Sequence, residues 1–479
     1  MAVEGRTHRP VIDHETCETC AVCLESCPAE LIPDMRKEEE SLRGRIYRHS
    51  DREVRLHEEK IFGPPRCRAA CPIGQDVRGY LRLIARKRYQ EALDLIRETN
   101  PLPSVCGYVC HHPCEAACVR GLVDDPLSIR ALKRFAADQD EGRLLPDKTA
   151  EGKGSRVAVI GSGPAGLSAA HELARLGHAV EVIESYREAG GMLAWAIPDF
   201  RLPRAILRRD IEAIQRMGVT IRTGLRFGRD ISMSDLREGG VKALVLSTGT
   251  QKGIRMGIEN EKGPAGCLDC LDFLKRCADG EEIALGDEVL VVGGGNAAVD
   301  TARSALRKGA KRVTILYRRG PEEMPAHREE VEEALREGVR LEYLTAPVKV
   351  IAPAGRVKGL ECKKTALGDA GVSGRRRPVP VEGSEFVLEA DAVISAIGQE
   401  PDVPEVMKGL NAIPEGVLTL DPETMLTGVA GVFAAGDFLN GSATVVEAMA
   451  SGKRAARVVD RYLSDKGKAG KERRDDRAL

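Results

Sequence analysis

Two copies of one βαβ pattern govern what this chain can fold into. The first reads RVAVIGSGPAGLSAAHELARLGHAVEVIE and the second EVLVVGGGNAAVDTARSALRKGAKRVTILYRR. In each, an apolar run ends in a glycine turn, a helical stretch follows, and a second apolar run closes the unit. Alternating strands and helices pack as a parallel sheet covered by helices, so the pattern predicts an α/β fold with two nucleotide-binding domains. Gly161, Gly163 and Gly166 form G-x-G-x-x-G in the first unit. The first glycine makes the tight turn, the second lets the backbone approach a pyrophosphate, and the third lets the helix lie close to the strand. The helix N-terminus adds free N–H groups and its dipole. Glu184 ends the second strand, where a carboxylate can accept hydrogen bonds from ribose hydroxyls.

The second unit keeps the turn as Gly293-x-Gly295-x-x-Ala298, with Asn296 and Asp300 opening its helix. No acid closes its second strand; Arg318 and Arg319 stand there instead. Guanidinium groups match a 2′-phosphate in charge and geometry, which favours NADP(H) over NAD(H). The plain alternative is a pair of solvated arginines. Further on, GVFAAGDF sets Gly436 and Asp437 after a short apolar strand, where the carboxylate either binds a cofactor's polyol chain or caps a helix.

The cysteines are just as unevenly placed. Ten of the fourteen fall in the first 118 residues. Cys17, Cys20, Cys23 and Cys27 form C-x₂-C-x₂-C-x₃-C-P, the bacterial ferredoxin spacing for iron–sulfur clusters. Cys67, Cys71, Cys110, Cys114 and Cys118 follow in a helical stretch, and these nine are the candidate cluster ligands. Zinc sites seldom use that first spacing, and no apolar signal stretch opens the chain, so metal ligation in a cytoplasmic protein is expected over disulfides. Within the helical stretch, RGYLRLIARKRYQEALDLIRETN carries near-helical periodicity and reads as one helix stopped by NPLP. The charged KEEESLRGRIYRHSDREVRLHEEK reads as a solvated connector.

The formal net charge is −1 and aromatic residues make up 4%, which speaks against nucleic acid, base stacking and anionic membrane surfaces as targets. No run approaches the ~18 apolar residues of a membrane span.

VAVIGSGPAGLSAA, GGMLAWAIPDFRLPR, LVLSTGT, VLVVGGGNAAVDTARSALRKGA, VTILYRRGPEEMPAHREE and FAAGDF together resemble the glutamate synthase small (beta) subunit. They are also similar to the matching parts of dihydropyrimidine dehydrogenase and of bifurcating ferredoxin–NADP transhydrogenase. RCRAACPIGQDVRGYL, ETNPLPSVCGYVCHHPCEAAC and DPLSIRALKRF extend the resemblance over residues 65–460. It implies FAD on the Gly161 unit, a nicotinamide nucleotide on the Gly293 unit and two 4Fe–4S clusters in the helical domain. It also carries cofactor-binding roles onto Gly191, Met192, Leu193, Thr248 and Gly249. Gly436 and Asp437 then face the flavin's ribityl chain, and Thr444 and Val445 open the helix beneath its ring. Two departures concern the clusters. HEEKIFGPPRC lacks the C-x₂-C pair that normally opens the family's helical domain, and the upstream ferredoxin run either supplies those ligands or holds a cluster of its own. Lys133 falls where the family places a carboxylate or amide ligand, and a protonated lysine cannot ligate iron, leaving Cys27 or Cys106 to replace it.

The expected order is a ferredoxin-like segment and connector (1–60), an α-helical iron–sulfur domain (61–150) and an FAD domain (151–270 and 391–463). An NAD(P) domain (271–390) interrupts the FAD domain, and a charged, unstructured tail (464–479) closes the chain. The chain is then an electron-transfer subunit that exchanges single electrons with a partner subunit or ferredoxin in a hetero-oligomer, with no side chain acting as an acid–base catalyst. Cys267 and Cys270, a C-x₂-C pair before the second unit, offer the alternative of a self-contained, thioredoxin reductase-like disulfide reductase. Accidental spacing of two small apolar residues is the plainer account of that pair. A cluster-bearing scaffold without catalysis is a third reading.

Overall fold

The computed structural model describes residues 46–50, 53–56, 64–140, 142, 154–371, 374–410 and 420–475. The ferredoxin-like run with Cys17, Cys20, Cys23 and Cys27 lies outside them. The chain divides into two compact units, Met1–Pro146 and Asp147–Leu479.

In the first unit, Ile46–Ser50 and Glu53–Leu56 pair as an antiparallel hairpin, with Ile46 opposite Leu56. The connector read from charge alone is therefore partly a hairpin, built on the β-prone Ile, Tyr and Val set among its charges. The single helix expected over residues 78–100 is two, Val77–Ala85 and Tyr89–Arg97. The break is a left-handed residue, Lys87, at φ 58°. Arg88 N–H donates to the Leu83 carbonyl and Lys87 N–H to that of Ile84, the paired bonds of a Schellman stop with lysine in the usual glycine place. Polar residues fill the break, so each helix keeps its own apolar phase. Val77, Tyr80 and Leu83 from one, and Ala92 and Ile96 from the other, share a core with Cys114, Ile129 and Ala136.

The second unit holds two five-stranded parallel sheets. The first runs in the order Val432–Ala434, Val241–Leu246, Arg156–Ile160, Ala179–Ile183, Thr220–Arg222. The second runs Arg340–Tyr343, Arg312–Tyr317, Glu288–Val292, Ala392–Ser395, Cys267–Asp269. Each fingerprint strand lies at the centre, so its glycine turn opens at the carboxyl edge where such sheets bind ligands. The helix Pro164–Arg175 starts with proline at its first position, where a missing N–H costs nothing.

Cys267–Asp269 and Ala392–Ser395 are strands of the second sheet, although the sequence reading set them on the flavin side of boundaries at 270/271 and 390/391. The chain crosses between the two parts at Lys252–Gly253 and Gln399–Glu400, which pair antiparallel. Residues 345–389 form an antiparallel insertion of three strands, Thr345–Ile351, Gly359–Ala370 and Arg376–Glu389. The last helix, Val445–Asp475, packs on Pro164–Arg175 so closely that a Cβ on Gly452 would meet the Ala165 carbonyl oxygen at 2.0 Å. It continues past residue 463 into the segment expected to be an unstructured tail. Among the described residues, no helix is long and apolar enough to cross a membrane.

Candidate functional site

The first glycine turn has the three distinct environments its spacing demands. At Gly161, φ is 99°, and a Cβ would meet the Ser247 carbonyl oxygen at 2.4 Å. At Gly166 a Cβ would meet the Gly161 carbonyl oxygen at 1.9 Å, so strand and helix could not approach as they do. A Cβ on Gly163 would meet nothing within 4 Å, which leaves open space for a ligand in front of the helix. The second turn repeats this. A Cβ on Gly293 would strike the Ala396 carbonyl oxygen at 2.2 Å, Gly295 faces open space, and Ala298 is fully buried.

Glu184 ends its strand as expected and binds its own turn. Its carboxylate accepts from Ser162 N–H at 2.9 Å, Ser162 Oγ at 2.6 Å and Tyr186 N–H at 2.7 Å. Ser162 Oγ in turn accepts from Gly190 N–H at 2.9 Å, tying the GGML loop to the turn. Gly191 lies so near that a Cβ on it would meet Gly163 Cα at 2.8 Å. Leu193 is buried, and Met192 packs against the core of the second sheet. Glu184, Gly161, Thr248 and Gly249 line one cleft with Phe227 and Arg226. Thr248 Oγ1 is buried there without a hydrogen-bond partner.

Gly436 takes φ 67° and donates its N–H to Ser451 Oγ at 2.9 Å. Asp437 Oδ1 is buried and unpartnered, and burial raises its carboxyl to about 6. Thr444 and Val445 open the last helix through a capping box: Thr444 N–H and Oγ1 both donate to Glu447, which returns its N–H to Thr444 Oγ1 at 3.4 Å.

At the second unit, Asn296 Oδ1 accepts the His327 N–H at 2.8 Å. Asp300 is buried and points at the part that carries Gly161: Arg201 of the GGMLAWAIPDFRLPR loop donates to it at 2.6 Å and pairs with Glu330 at 3.0 Å. Phe200 lies under the guanidiniums of Arg303 and Arg307, at 4.8 and 3.8 Å. Asp300 therefore joins the two nucleotide-binding parts. Arg319 Nε donates to the Arg376 carbonyl at 2.7 Å, and the Arg318 carbonyl accepts from Thr365 Oγ1, so both arginines are braced by the antiparallel insertion.

Cys67, Cys71, Cys110, Cys114 and Cys118 are all free thiols in the helical unit, and Cys106 joins them. The short helix Pro103–Val109 carries Cys106 and leads into Cys110, and Gly107 lets the helix Ile129–Asp138 come close: a Cβ there would meet Arg134 Cβ at 2.7 Å. Arg130 donates to the Cys110 carbonyl at 3.2 Å. The Cys110 thiol is lowered to about 5, chiefly by a hydrogen bond with Cys106, against burial and with help from Lys133. Burial pushes Cys114 up to about 12.

Cys267 and Cys270 point to different sides of the second sheet. Cys267 packs with the Leu290, Val292 and Val393 face, whereas Cys270 belongs to the core of Phe273, Val291 and Ala298. Burial raises both thiols, Cys270 to about 12, so neither is poised as a thiolate. Ser162, Ser451 and Arg201 were not singled out from the sequence. Ser162 was within reach as the variable residue of G-x-G; the other two carry no local signal.

The groups that this fold implies fit the residues present. Open space in front of two helix N-termini suits two pyrophosphates, and the orphaned Asp437 oxygen suits a polyol hydroxyl. Six cysteines in one small helical unit, four of them acting on a buried lysine, suit iron–sulfur chemistry.

A family described as pyridine nucleotide-disulphide oxidoreductase matches residues 155–452, and one described as dihydropyrimidine dehydrogenase domain II, 4Fe-4S cluster, matches 62–143. The chain is 44% identical over 433 residues to the NADP(+)-dependent formate dehydrogenase subunit beta of Moorella thermoacetica, covering 84% of this chain and 60% of that protein. It is 41% identical over 432 residues to the NADPH-Fe(3+) oxidoreductase subunit beta of Geobacter sulfurreducens, covering 84% and 64%. It thus spans less than two thirds of the length of those two relatives. With the NADPH glutamate synthase small chain of Azospirillum brasilense it shares 34% identity over 426 residues, covering 85% of this chain and 88% of that one. Mycobacterium tuberculosis FprA in complex with NADPH superposes with a TM-score of 0.56 at 17% identity, over 66% of this chain and 86% of that chain, a likeness of fold alone. The chain belongs to the pyridine nucleotide-disulphide oxidoreductase family, in the branch of the glutamate synthase small chain, with a 4Fe–4S helical domain ahead of it.

Proposed function

We propose that the chain is an electron-transfer subunit that oxidises NAD(P)H, or reduces NAD(P)⁺, and exchanges single electrons with a partner subunit or ferredoxin in a hetero-oligomer. The observation that carries this is one compact unit with two separate glycine cradles, on a chain that also bears a cysteine-rich helical unit. Bound FAD, nicotinamide nucleotide and 4Fe–4S clusters would together supply the conversion between two-electron and one-electron chemistry.

The residues divide the work. Gly161, Gly163 and Gly166 would admit the FAD pyrophosphate, with Glu184, Thr248 and Gly249 at the ribose side. Gly191, Met192 and Leu193 would close over the flavin, and Gly436, Asp437, Thr444 and Val445 would hold its polyol chain and ring. Gly293, Gly295, Asn296 and Ala298 would seat the nicotinamide nucleotide, and Arg318 and Arg319 would select NADP(H) through its 2′-phosphate. Asp300 holds Arg201 and so keeps the two cradles in one arrangement. Cys17, Cys20, Cys23, Cys27, Cys67, Cys71, Cys110, Cys114 and Cys118 are the ligand set for two clusters, one cysteine more than two all-cysteine sites need. No side chain is required as an acid or base. Thiolate-ligated clusters favour a reducing compartment, so the cytoplasm is the expected location.

The relatives are named as beta subunits or small chains, which supports a partner subunit here. The disulfide-reductase alternative finds no support, because its two cysteines sit on opposite faces of a sheet with raised thiols. The test is anaerobic purification followed by NADPH-dependent reduction of viologen or ferredoxin, with iron and flavin counted. Yellow, iron-containing protein that reduces viologen is expected. Iron-free or flavin-free protein overturns the reading, and Cys267→Ser/Cys270→Ser protein should keep full activity.

A further inference from the structure

A lysine at the heart of the cysteine-rich unit invites an explanation. Lys133 is only 5% exposed, on the buried face of Ile129–Asp138 with Ile129, Ala136 and Ala137. That helix is fixed on both sides of Lys133. Tyr80 Oη donates to the Ile129 carbonyl at 3.2 Å, Arg130 holds both the Cys110 carbonyl and Glu115, and Arg134 seats against Gly107. The lysine therefore faces the Cys106–Cys110 turn by construction, not through a swinging side chain. Among the described residues no carboxylate forms an ion pair with it. A buried ammonium costs several kcal/mol unless an anion meets it, and the groups that act on this one are cysteines, neutral as thiols and anionic only as ligands. They are Cys106, Cys110, Cys71 and Cys114, three of which belong to the candidate ligand set.

Resting on the cluster reading above, we propose that Lys133 is a charge-compensating neighbour of the cluster held by Cys71, Cys110 and Cys114, and that it sets that cluster's reduction potential. Reduction adds one electron to an already anionic cluster, so an adjacent fixed cation stabilises the reduced state and raises the potential. Burial keeps water from screening the effect. The fourth ligand then comes from a cysteine, since the lysine occupies the place as an ammonium and not as a donor of electrons.

The experiment is redox potentiometry followed by electron paramagnetic resonance on anaerobically purified full-length protein, with iron counted. Lys133→Met keeps length and removes charge; Lys133→Arg keeps charge and changes shape. The expected result is wild-type iron in both, a cluster signal that titrates at more negative potential in Lys133→Met, and one near wild type in Lys133→Arg. Iron lost in Lys133→Met but kept in Lys133→Arg also supports the charge as the requirement. An unchanged potential in iron-loaded Lys133→Met overturns the proposal. So does an equal shift, or equal loss of iron, in both variants, because shape would then be the cause. Wild-type protein without iron would take down the cluster reading itself, an outcome separate from these.

Discussion

The Gly161 and Gly293 units are the same backbone put to two uses. Turn, helix and central strand match position by position, down to a second glycine that faces open space in each. They differ in what is attached. In the first, the acid at the strand end turns inward and binds its own glycine turn through Ser162. In the second, two arginines stand at that point, braced by an antiparallel insertion that the first lacks. One turn into the helix, the first unit has a buried Ser168 where the second has Asp300 reaching across to Arg201. A shared cradle accepts any pyrophosphate; the attachments decide which nucleotide it is and where it points.

The sharpest way to break this comparison is to block each cradle in turn. Gly163→Asp adds a side chain whose Cβ would meet nothing within 4 Å, so folding should survive while the pyrophosphate meets a like charge. The repulsion is about 3 kcal/mol, or about 100-fold in affinity. Colourless protein that still melts cooperatively is expected. Gly295→Asp should instead leave the protein yellow and raise the NAD(P)H concentration needed for half-maximal flavin reduction by about 100-fold. If Gly295→Asp lost flavin and Gly163→Asp kept it, the assignment of the two units would be reversed.

Next in size is the link between the units. Asp300→Ala leaves Arg201 buried with only Glu330 as partner, costing about 2 kcal/mol in thermal or urea unfolding. Asp300→Asn, which keeps a hydrogen-bond acceptor, should recover part of that. A change in nucleotide affinity without loss of stability would mean that Asp300 serves the ligand and not the link. Smaller again is Arg318→Ala, expected to weaken NADPH about tenfold while leaving NADH as it was. Equal weakening of both nucleotides would remove the 2′-phosphate role.

How far the sequence reached follows the range of the interactions. Both fingerprints and the α/β class were legible because short-period patterns report local structure. The break at Lys87 was not, because a lysine in a left-handed stop looks like any surface lysine. The boundary near 253 escaped for a related reason: the Cys267–Asp269 strand is three residues long and gains its place only by pairing with Ala392–Ser395. Asp300 looked like a ligand group by its place at a helix start, and only the fold brings Arg201 to it. Asp437 was legible as a carboxylate after a strand, whereas its missing partner was not.

That missing partner gives the finest contrast between the units: Asp300 and Asp437 each keep one buried oxygen unpartnered, but among the described residues only Asp300 has a guanidinium on its other oxygen. Burial raises the folded Asp437 carboxyl to about 6 from 3.8, so the ionised form is disfavoured in flavin-free protein. The stability this group contributes is fully present below pH 3.8 and is lost as pH rises through 6. Asp437→Asn mimics the neutral form at every pH. Flavin-free Asp437→Asn protein should therefore melt about 2–4 °C above the parent at pH 7, with the gap closing as pH falls toward 4. With flavin bound, a hydroxyl donor would satisfy the ionised oxygen and the gap at pH 7 should shrink or reverse. A gap that stayed constant with pH would trace the effect to shape, and a gap unmoved by flavin would place the polyol chain away from Asp437.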